Sequence, residues 1–551
     1  AVQNTAARAL DSLRAELRYR ERWLRQAGVR DIRDARPGAL ARLVIVVDEF
    51  AAMIDAFPDL HGVFVDLAAR GRSLGVHLVL CTQRPAAAVR DGVLANCDLR
   101  ISLRVNNAGD SLAVVGTPEA AALPSDRPGR VVASIGGRPT VTAQIATTTP
   151  AHIRACGGAP LAPLRRPWLD PLPAVIPLEG LDPSGGVDGT SGDGFILGRF
   201  DLPSEQSQPV ALYRPADDGH LLALGTAGRG TSTLLATITA QTVTGWTVER
   251  VPADPEPAWD VLRSLADRVR SGERRSHDTL VILDDLDLLL SRWGDEYARA
   301  ARDDLSEILR AGAGRRVFMV LTAHRATGDV LALSGLVGST LRLGSANKQE
   351  HVLSGGDGPA YRADRRPGSG VWRGREIQLA RPATVARDEV VDPQTAGVPL
   401  RPGLLMVVTR RPTLRARWAR QHGVTDVIVL GAPGQGTLRI DDLSVEGNCS
   451  VVIGESDAWQ QQWALLSALR GSATVVVEDV SLAEFRALTR RTELPPWIPA
   501  GGSRAWLIRA DGCVSRVSFD AEPVADRPTG APTARRSRRS VGVARTPDGA
   551  R

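Results

Sequence analysis

Apolar positions along the chain fall into runs of two kinds. Residues 5–28 carry Leu10, Leu13, Leu17 and Leu24 between Arg and Glu, a spacing that predicts an amphipathic helix. Leu43-Val44-Ile45-Val46-Val47 is a continuous aliphatic run, the pattern of a strand buried on both faces, and it ends in Asp48-Glu49. A second such strand, Val76-His77-Leu78-Val79-Leu80, leads into Cys81-Thr82-Gln83-Arg84-Pro85. Residues 58–74 between them read as a helix. Strand, helix and strand with acids at a strand end predict an α/β domain, with a parallel sheet and chemistry at its carboxyl edge.

The pattern then repeats. In the first copy the landmarks are Asp48, Thr82, Arg100 and the Pro128-Gly129 turn; in the second they are Asp284, Thr322, Arg342 and Pro367-Gly368. The intervals are 34, 18 and 28 residues in the first copy and 38, 20 and 25 in the second. Four landmarks in one order predict two copies of one α/β module. A third, fainter copy is read at Cys449–Gly454, which resembles Leu221–Gly225, and at Thr474–Asp479, which resembles the acid-ended strands.

Composition sets the boundaries between copies. Residues 151–195 contain seven Pro, and Ser184–Asp193 is rich in Gly, Ser and Asp, which predicts a linker or strap. The expected organisation is module 1 over 1–150, linker over 151–195, module 2 over 196–385, module 3 over 386–526 and a basic disordered tail over 527–551. Hydrophobic residues make up 43% of the 551, enough for several cores, and no run is apolar enough to span a bilayer. The chain opens on Ala1 without a leader, so it is expected to be part of a longer protein whose membrane anchor would lie upstream.

Charge matters once it is divided. The tail holds seven Arg against Asp548 alone, a net of +6, leaving 61 basic and 61 acidic residues in the body. The basic balance is a property of the tail, including Arg535, Arg536, Arg538 and Arg539, and does not report a basic nucleic-acid groove. Five scattered cysteines without a CxxC pair fit a reducing compartment. Lys348 is the sole lysine, so a phosphate-binding lysine has only one place to be.

A hydrophobic strand ending in Asp48-Glu49 has the form of a Walker B element. Its first acid would hold Mg²⁺ through the ion's water shell, and its second would orient the attacking water. Thr82 and Gln83 at the adjacent strand end stand where a γ-phosphate sensor belongs. In module 2, Gly225 to Ser232 follows a buried strand and opens a helix. It fits G-x-x-x-x-G-K-[ST] except that Thr231 replaces the lysine. Backbone amides around Gly225, Gly228, Gly230, Thr231 and Ser232 would cradle an anion, with Arg229 as a partial substitute cation. The acid pair there is Asp284-Asp285, one methylene short at the second position. In module 3, Gly454 to Gln461 is read in the same register, with Trp459 filling phosphate space and Glu455 and Asp457 repelling it. Lys348 lies outside any glycine-rich loop, so module 1's P-loop is expected before Ala1. Arg70, Arg72, Arg100 and Arg104 are candidates for a finger acting on a neighbouring subunit.

Val44–Phe50, the stretch Gly71-Arg72-Ser73-Leu74-Gly75-Val76-His77-Leu78, then Thr82–Pro85 and Pro128-Gly129-Arg130 resemble the FtsK/SpoIIIE family of RecA-like motor ATPases. The likeness is close over 40–135, decayed over 196–380 and faint over 400–520. It implies tandem RecA-like P-loop NTPase modules with central, mostly parallel sheets, the later copies degenerate. It also implies ATP and Mg²⁺ as cofactors, a hexameric ring and a cytoplasmic position at the membrane face. Asp48 would be the Mg²⁺ acid, Glu49 the catalytic acid and Thr82-Gln83 the sensor. Tandem modules that decay toward the C-terminus, with a neutral body, are similar to the EccC-like motors of type VII secretion, which act on protein segments. A DNA translocase acting on duplex DNA is the second reading, and a non-catalytic docking scaffold the third.

Overall fold

The structure is a computed structural model. It describes residues 2–84, 91–156, 165–183, 194–384, 395–431, 436–440, 443 and 449–523. Pro85, the Ser184–Asp193 segment and the 527–551 tail lie outside the described residues. The chain forms two compact units, one of residues 1–250, 273–288 and 309–387, the other of 251–272, 289–308 and 388–551.

The first unit opens with a helix, Val2–Gln26, whose Leu10, Leu13, Leu17 and Leu24 are buried as their spacing predicts. They pack on the helix Leu60–Leu74 and on one face of a two-stranded parallel sheet, β1 (Leu43–Val47) and β2 (Val76–Leu80). The other face is bare: Val44 is 57% exposed and Val46 66%. β3 (Leu99–Leu103), β4 (Arg130–Ile135) and β5 (Val141–Gln144) form a separate antiparallel sheet.

The third sheet comprises β7 (Phe195–Asp201), β8 (Val210–Tyr213), β9 (Leu221–Leu224), β10 (Trp246–Arg250), β11 (Asp278–Leu283), β12 (Val317–Ala323), β13 (Ser339–Arg342), β14 (Ser369–Trp372) and β15 (Arg375–Arg381). Its order is β10-β11-β12-β9-β13-β14-β15-β7-β8, and the linker strand β6 (Ile176–Pro177) pairs with β15. β10, β11, β12, β9 and β13 are parallel, as continuous apolar runs demand. Here both faces of the acid-ended strand are covered, and Leu280 to Leu283 are at most 1% exposed. On this order, β1 and β2 correspond to β11 and β12, and β3, β4 and β5 to β13, β14 and β15. Module 1 has no counterpart of β9 among the described residues, and its sheet is interrupted at that place.

The fourth sheet lies in the second unit. It comprises β16 (Gly403–Val408), β17 (Asp426–Val429), β18 (Cys449–Gly454), β19 (Thr474–Glu478), β20 (Arg504–Ile508) and β21 (Val514–Ser518), in the order β17-β18-β16-β19-β20-β21. Strand directions match β11-β12-β9-β13-β14-β15 one for one, in the same chain order. Gly397 bridges in parallel to Ser518 on β21, as β6 pairs in parallel with β15. The match corrects the sequence reading of module 3. β16 stands in the place of the P-loop strand, β18 in that of β12, and β19 in that of β13. Gly454–Gln461 therefore follows a sensor-type strand, and Glu478-Asp479 is not at a Walker B position. Apolar composition alone misled the alignment, because every central strand of such a sheet carries the same aliphatic run.

Inside the second module His220 is buried, and its Nδ1 accepts the Met319 amide at 2.9 Å. Burial pushes its pKa down to about 4. The folded state thus holds a neutral imidazole, while the unfolded chain takes up a proton below its ordinary pKa near 6.5. This contribution is present in full above pH ~6.5 and is lost as pH falls toward 4, about 3 kcal/mol in all. Urea midpoints measured between pH 7 and 4.5 should fall for the chain, and the slope should flatten in His220→Asn.

Candidate functional site

In module 2 the carboxyl edge of the sheet gathers the predicted residues. β12 lies between the acid strand β11 and the loop strand β9, and the Gly225 amide donates to the Ala323 carbonyl at 3.1 Å. The loop Gly225–Gly230 then opens the helix Thr231–Thr239. A Cβ on Gly225 would stand 2.7 Å from Leu343 Cβ, and one on Gly230, at φ +116°, would stand 3.0 Å from the Gly368 backbone. Only glycine fits at both. First-turn amides have no partner within the helix, and the helix dipole adds partial positive charge, so the loop is an anion cradle. A cavity of about 210 Å³ opens over Gly228, Gly230, Thr231 and Ser232.

Arg229 does not serve this cradle. Its Nη1 donates to the Arg365 carbonyl at 2.6 Å, and its stem packs on Gly344. At the acid pair, Asp284 accepts the Thr322 hydroxyl at 2.5 Å, and the Asp285 amide donates back to Thr322 Oγ1 at 2.9 Å. Asp285 adopts a left-handed backbone, φ 50°, and its Oδ1 lies 3.0 Å from His324 Nδ1. Module 1 repeats this turn: Glu49 also has a left-handed φ, 53°. Such conformations cost about 1–3 kcal/mol in a residue with a side chain and concentrate at functional sites.

Strand register changes one equivalence. Val47 pairs with Leu80 and Leu283 with Leu321, so Asp48 faces Cys81 as Asp284 faces Thr322. The counterpart of Thr322 is Cys81; Thr82 matches Ala323, and Gln83 matches His324. Thr82 instead accepts the Arg84 amide at 3.1 Å. Sequence reasoning aligned the two threonines by identity and missed Cys81 and His324; counting from Val76 and Val317, where the strands start, finds both. Asp48 is exposed and Glu49 half-buried at the end of β1. Among the finger candidates, Arg70 is held by Asp66 and Glu21, Arg72 lies 3.6 Å from Asp98, and Arg100 donates to the Leu94 carbonyl at 2.9 Å. Arg104 is exposed.

Fit to a nucleotide therefore differs by module. Module 1 has the acids and lacks a phosphate loop within the described residues. Module 2 has the amide cradle without its lysine, and its first acid is engaged by Thr322. In module 3 the connection from β16 to the helix Pro412–Gln421 is Thr409–Arg411, three residues where module 2 has six. It is too short to wrap a phosphate. Buried Arg415 donates to Glu478 at 2.8 Å from Nε and stands 4.0 Å above the Phe519 ring, and Thr409 donates to the same carboxylate at 2.7 Å. Trp459, assigned to phosphate space from the sequence, is a core residue whose Nε1 donates to the Val407 carbonyl at 3.1 Å.

No protein-family model matches the chain. It is 27% identical over 292 residues to the ESX secretion system protein EccC of Geobacillus thermodenitrificans, covering 43% of this chain and 19% of that protein. It is 27% identical over 298 residues to the type VII secretion system protein EssC of Staphylococcus aureus, covering 42% and 20%. The chain thus spans about a fifth of the length of the curated relatives it matches. The cytoplasmic domain of the Thermomonospora curvata type VII secretion ATPase EccC superposes with a TM-score of 0.62 at 16% identity, over 94% of this chain and 85% of that one. The fold is a tandem α/β ATPase-module fold. In sequence the chain is similar to FtsK/SpoIIIE-type motors of the EccC/EssC kind.

The module 3 ion pair is open to a direct check. Arg415→Leu alone strands the Glu478 carboxylate in a dry site and should cost about 3–5 kcal/mol. Arg415→Leu with Glu478→Leu should recover most of that loss. Denaturant unfolding followed by tryptophan fluorescence reads both.

Proposed function

We propose that the chain works in an ATP-driven motor of a type VII secretion-like system, with module 1 as its engine and modules 2 and 3 as regulatory or docking modules. One observation carries the reading: module 1 alone keeps an Asp-Glu pair, with the glutamate in the left-handed turn shared with Asp285. Bound ATP would supply the phosphoryl bond that is broken. Asp48 would hold the water shell of Mg²⁺, Glu49 would orient water and take its proton, and Gln83 would contact the reacting face opposite Glu49. The site would be complete with a P-loop strand between β2 and β3, and no strand stands there among the described residues.

Protein segments are the proposed cargo. The relatives are named as secretion system proteins, and a body of 61 basic and 61 acidic residues offers no net attraction to duplex DNA. A ring of copies anchored at a membrane would place each engine against its neighbour; none of the described helices is itself long and apolar enough to cross a membrane.

The test uses a chain carrying a strand–P-loop–helix segment ahead of Ala1. Glu49→Gln should lower its ATPase rate by about a hundredfold or more, with duplex DNA making no difference. A rate that Glu49→Gln leaves unchanged would remove module 1 as the engine. A rate that duplex DNA raises several-fold would move the cargo from protein to DNA.

A further inference from the structure

We propose that the outer edge of β17 in module 3 receives an extended segment of a partner protein as an added parallel strand. This surface is independent of whether module 1 is the engine. Module 2 has a strand there that module 3 lacks. In module 2 the helix Thr231–Thr239 leads into β10, which pairs in parallel with the outer edge of β11. In module 3 the helix Pro412–Gln421 leads straight into β17, the counterpart of β11, across residues 422–425. β17 ends its sheet, and no strand lies beyond it among the described residues.

Hydrogen-bond direction shows which groups this edge presents. The Leu430 amide donates to the Ile453 carbonyl at 2.8 Å, in the register that sets Val429 opposite Ile453. Backbone groups alternate sides along a strand, so Asp426 and Ile428 turn theirs to β18, and Val427 and Val429 turn theirs outward. No described group bonds the outward N–H and C=O of Val427 and Val429. β11 turns Leu280 and Ile282 outward in the same way, because the Thr279 amide donates to the Arg316 carbonyl at 2.9 Å, and there β10 answers them. Edge strands are commonly closed by Pro, Lys or a bulge. β17 reads Asp-Val-Ile-Val and pairs with β18 without a register shift, so it carries none of these. At its start Asp426 Oδ2 is enclosed and has no hydrogen-bond partner among the described residues, an acceptor that an incoming amide would satisfy.

β10 shows the chemistry such a place takes. Its Trp246 and Val248 pack on the core of module 2, while Thr247 and Arg250 are exposed. Val427 and Val429 pack on the module 3 core that includes Trp418 and Val424. An added strand with apolar residues at alternate positions would extend that core, while its backbone supplies the pairing with little demand on sequence. A second copy of the chain meets the edge differently: two identical edges related by a two-fold run antiparallel, and the place in module 2 is filled in parallel.

Fluorescence anisotropy of a labelled peptide of residues 244–251, titrated with the 551-residue chain, tests the proposal, because that peptide contains β10 itself. It should bind saturably. Val429→Pro should weaken it by about tenfold or more, since proline removes an outward N–H and leaves the pairing with β18 intact. Val429→Ala should change it by less than about threefold, since the edge is read through its backbone. The same peptide with proline in place of Glu249, whose amide meets the Leu280 carbonyl in the β10 register, should not bind. An unchanged thermal midpoint shows that Val429→Pro is folded. If the midpoint falls, hydrogen exchange of the wild-type chain decides instead, with the Val427 and Val429 amides slowing by about tenfold or more when the peptide is added. Wild-type chain that does not bind the peptide overturns the proposal, and so does binding that a folded Val429→Pro leaves unchanged. Sedimentation that finds the wild-type chain dimeric and Val429→Pro monomeric would give the edge to a second copy and remove the partner segment.

Discussion

A strand in the middle of a parallel sheet must find backbone partners on both edges, and the organisation of this chain follows from that requirement. In module 2 it is met by β9, which pairs with β12 on one side and β13 on the other. The same strand delivers the phosphate loop, so sheet completion and site completion are one event. In module 1 the strands corresponding to β12 and β13 are β2 and β3, in separate sheets. Val79, Leu99, Ile101 and Leu103 are all about half exposed, where Val320 of β12 and Leu341 of β13 are buried. Among the described residues, the Asp48-Glu49 pair and the open edge of β2 therefore belong to one two-stranded sheet.

Decay of the later modules has a physical logic. Module 2 keeps the costly backbone features, the glycines that pass beneath Leu343 and Gly368 and the left-handed Asp285, and gives up the lysine. Module 3 gives up the loop. Where a phosphate loop would stand it places a short turn and the buried Arg415–Glu478 pair, so its internal charges are answered by protein groups alone. In the second unit, the helix Pro255–Arg270 sets Glu256 3.5 Å from both Arg504 of β20 and Arg516 of β21. Module 3 thereby packs with a helix of its own unit, which follows β10 in the chain.

Much of this was legible in the sequence. Aliphatic runs ending in acids gave the parallel strands, the glycine spacing gave the loop, and the two best copies were found by their intervals. Three things were not legible. Strand register was misjudged by one residue at Thr82, because identity with Thr322 outweighed position along the strand, and side-chain direction depends on position alone. Module 3 was placed on the wrong strands, because aliphatic runs carry no information about neighbours in a sheet. The open edge of β17 went unremarked, because an aliphatic run does not show whether its outer neighbour is present.

Hydrogen exchange at β2 and β3 is the most direct measurement of whether module 1 awaits a strand. It would compare the 551-residue chain with one extended ahead of Ala1 by a strand–P-loop–helix segment. The Val76–Leu80 and Leu99–Leu103 amides that do not pair with β1 or β4 should exchange fast in the former and slow by about a hundredfold or more in the latter, in both strands together. Exchange that is already slow without the segment, or that the segment leaves unchanged, would contradict the account.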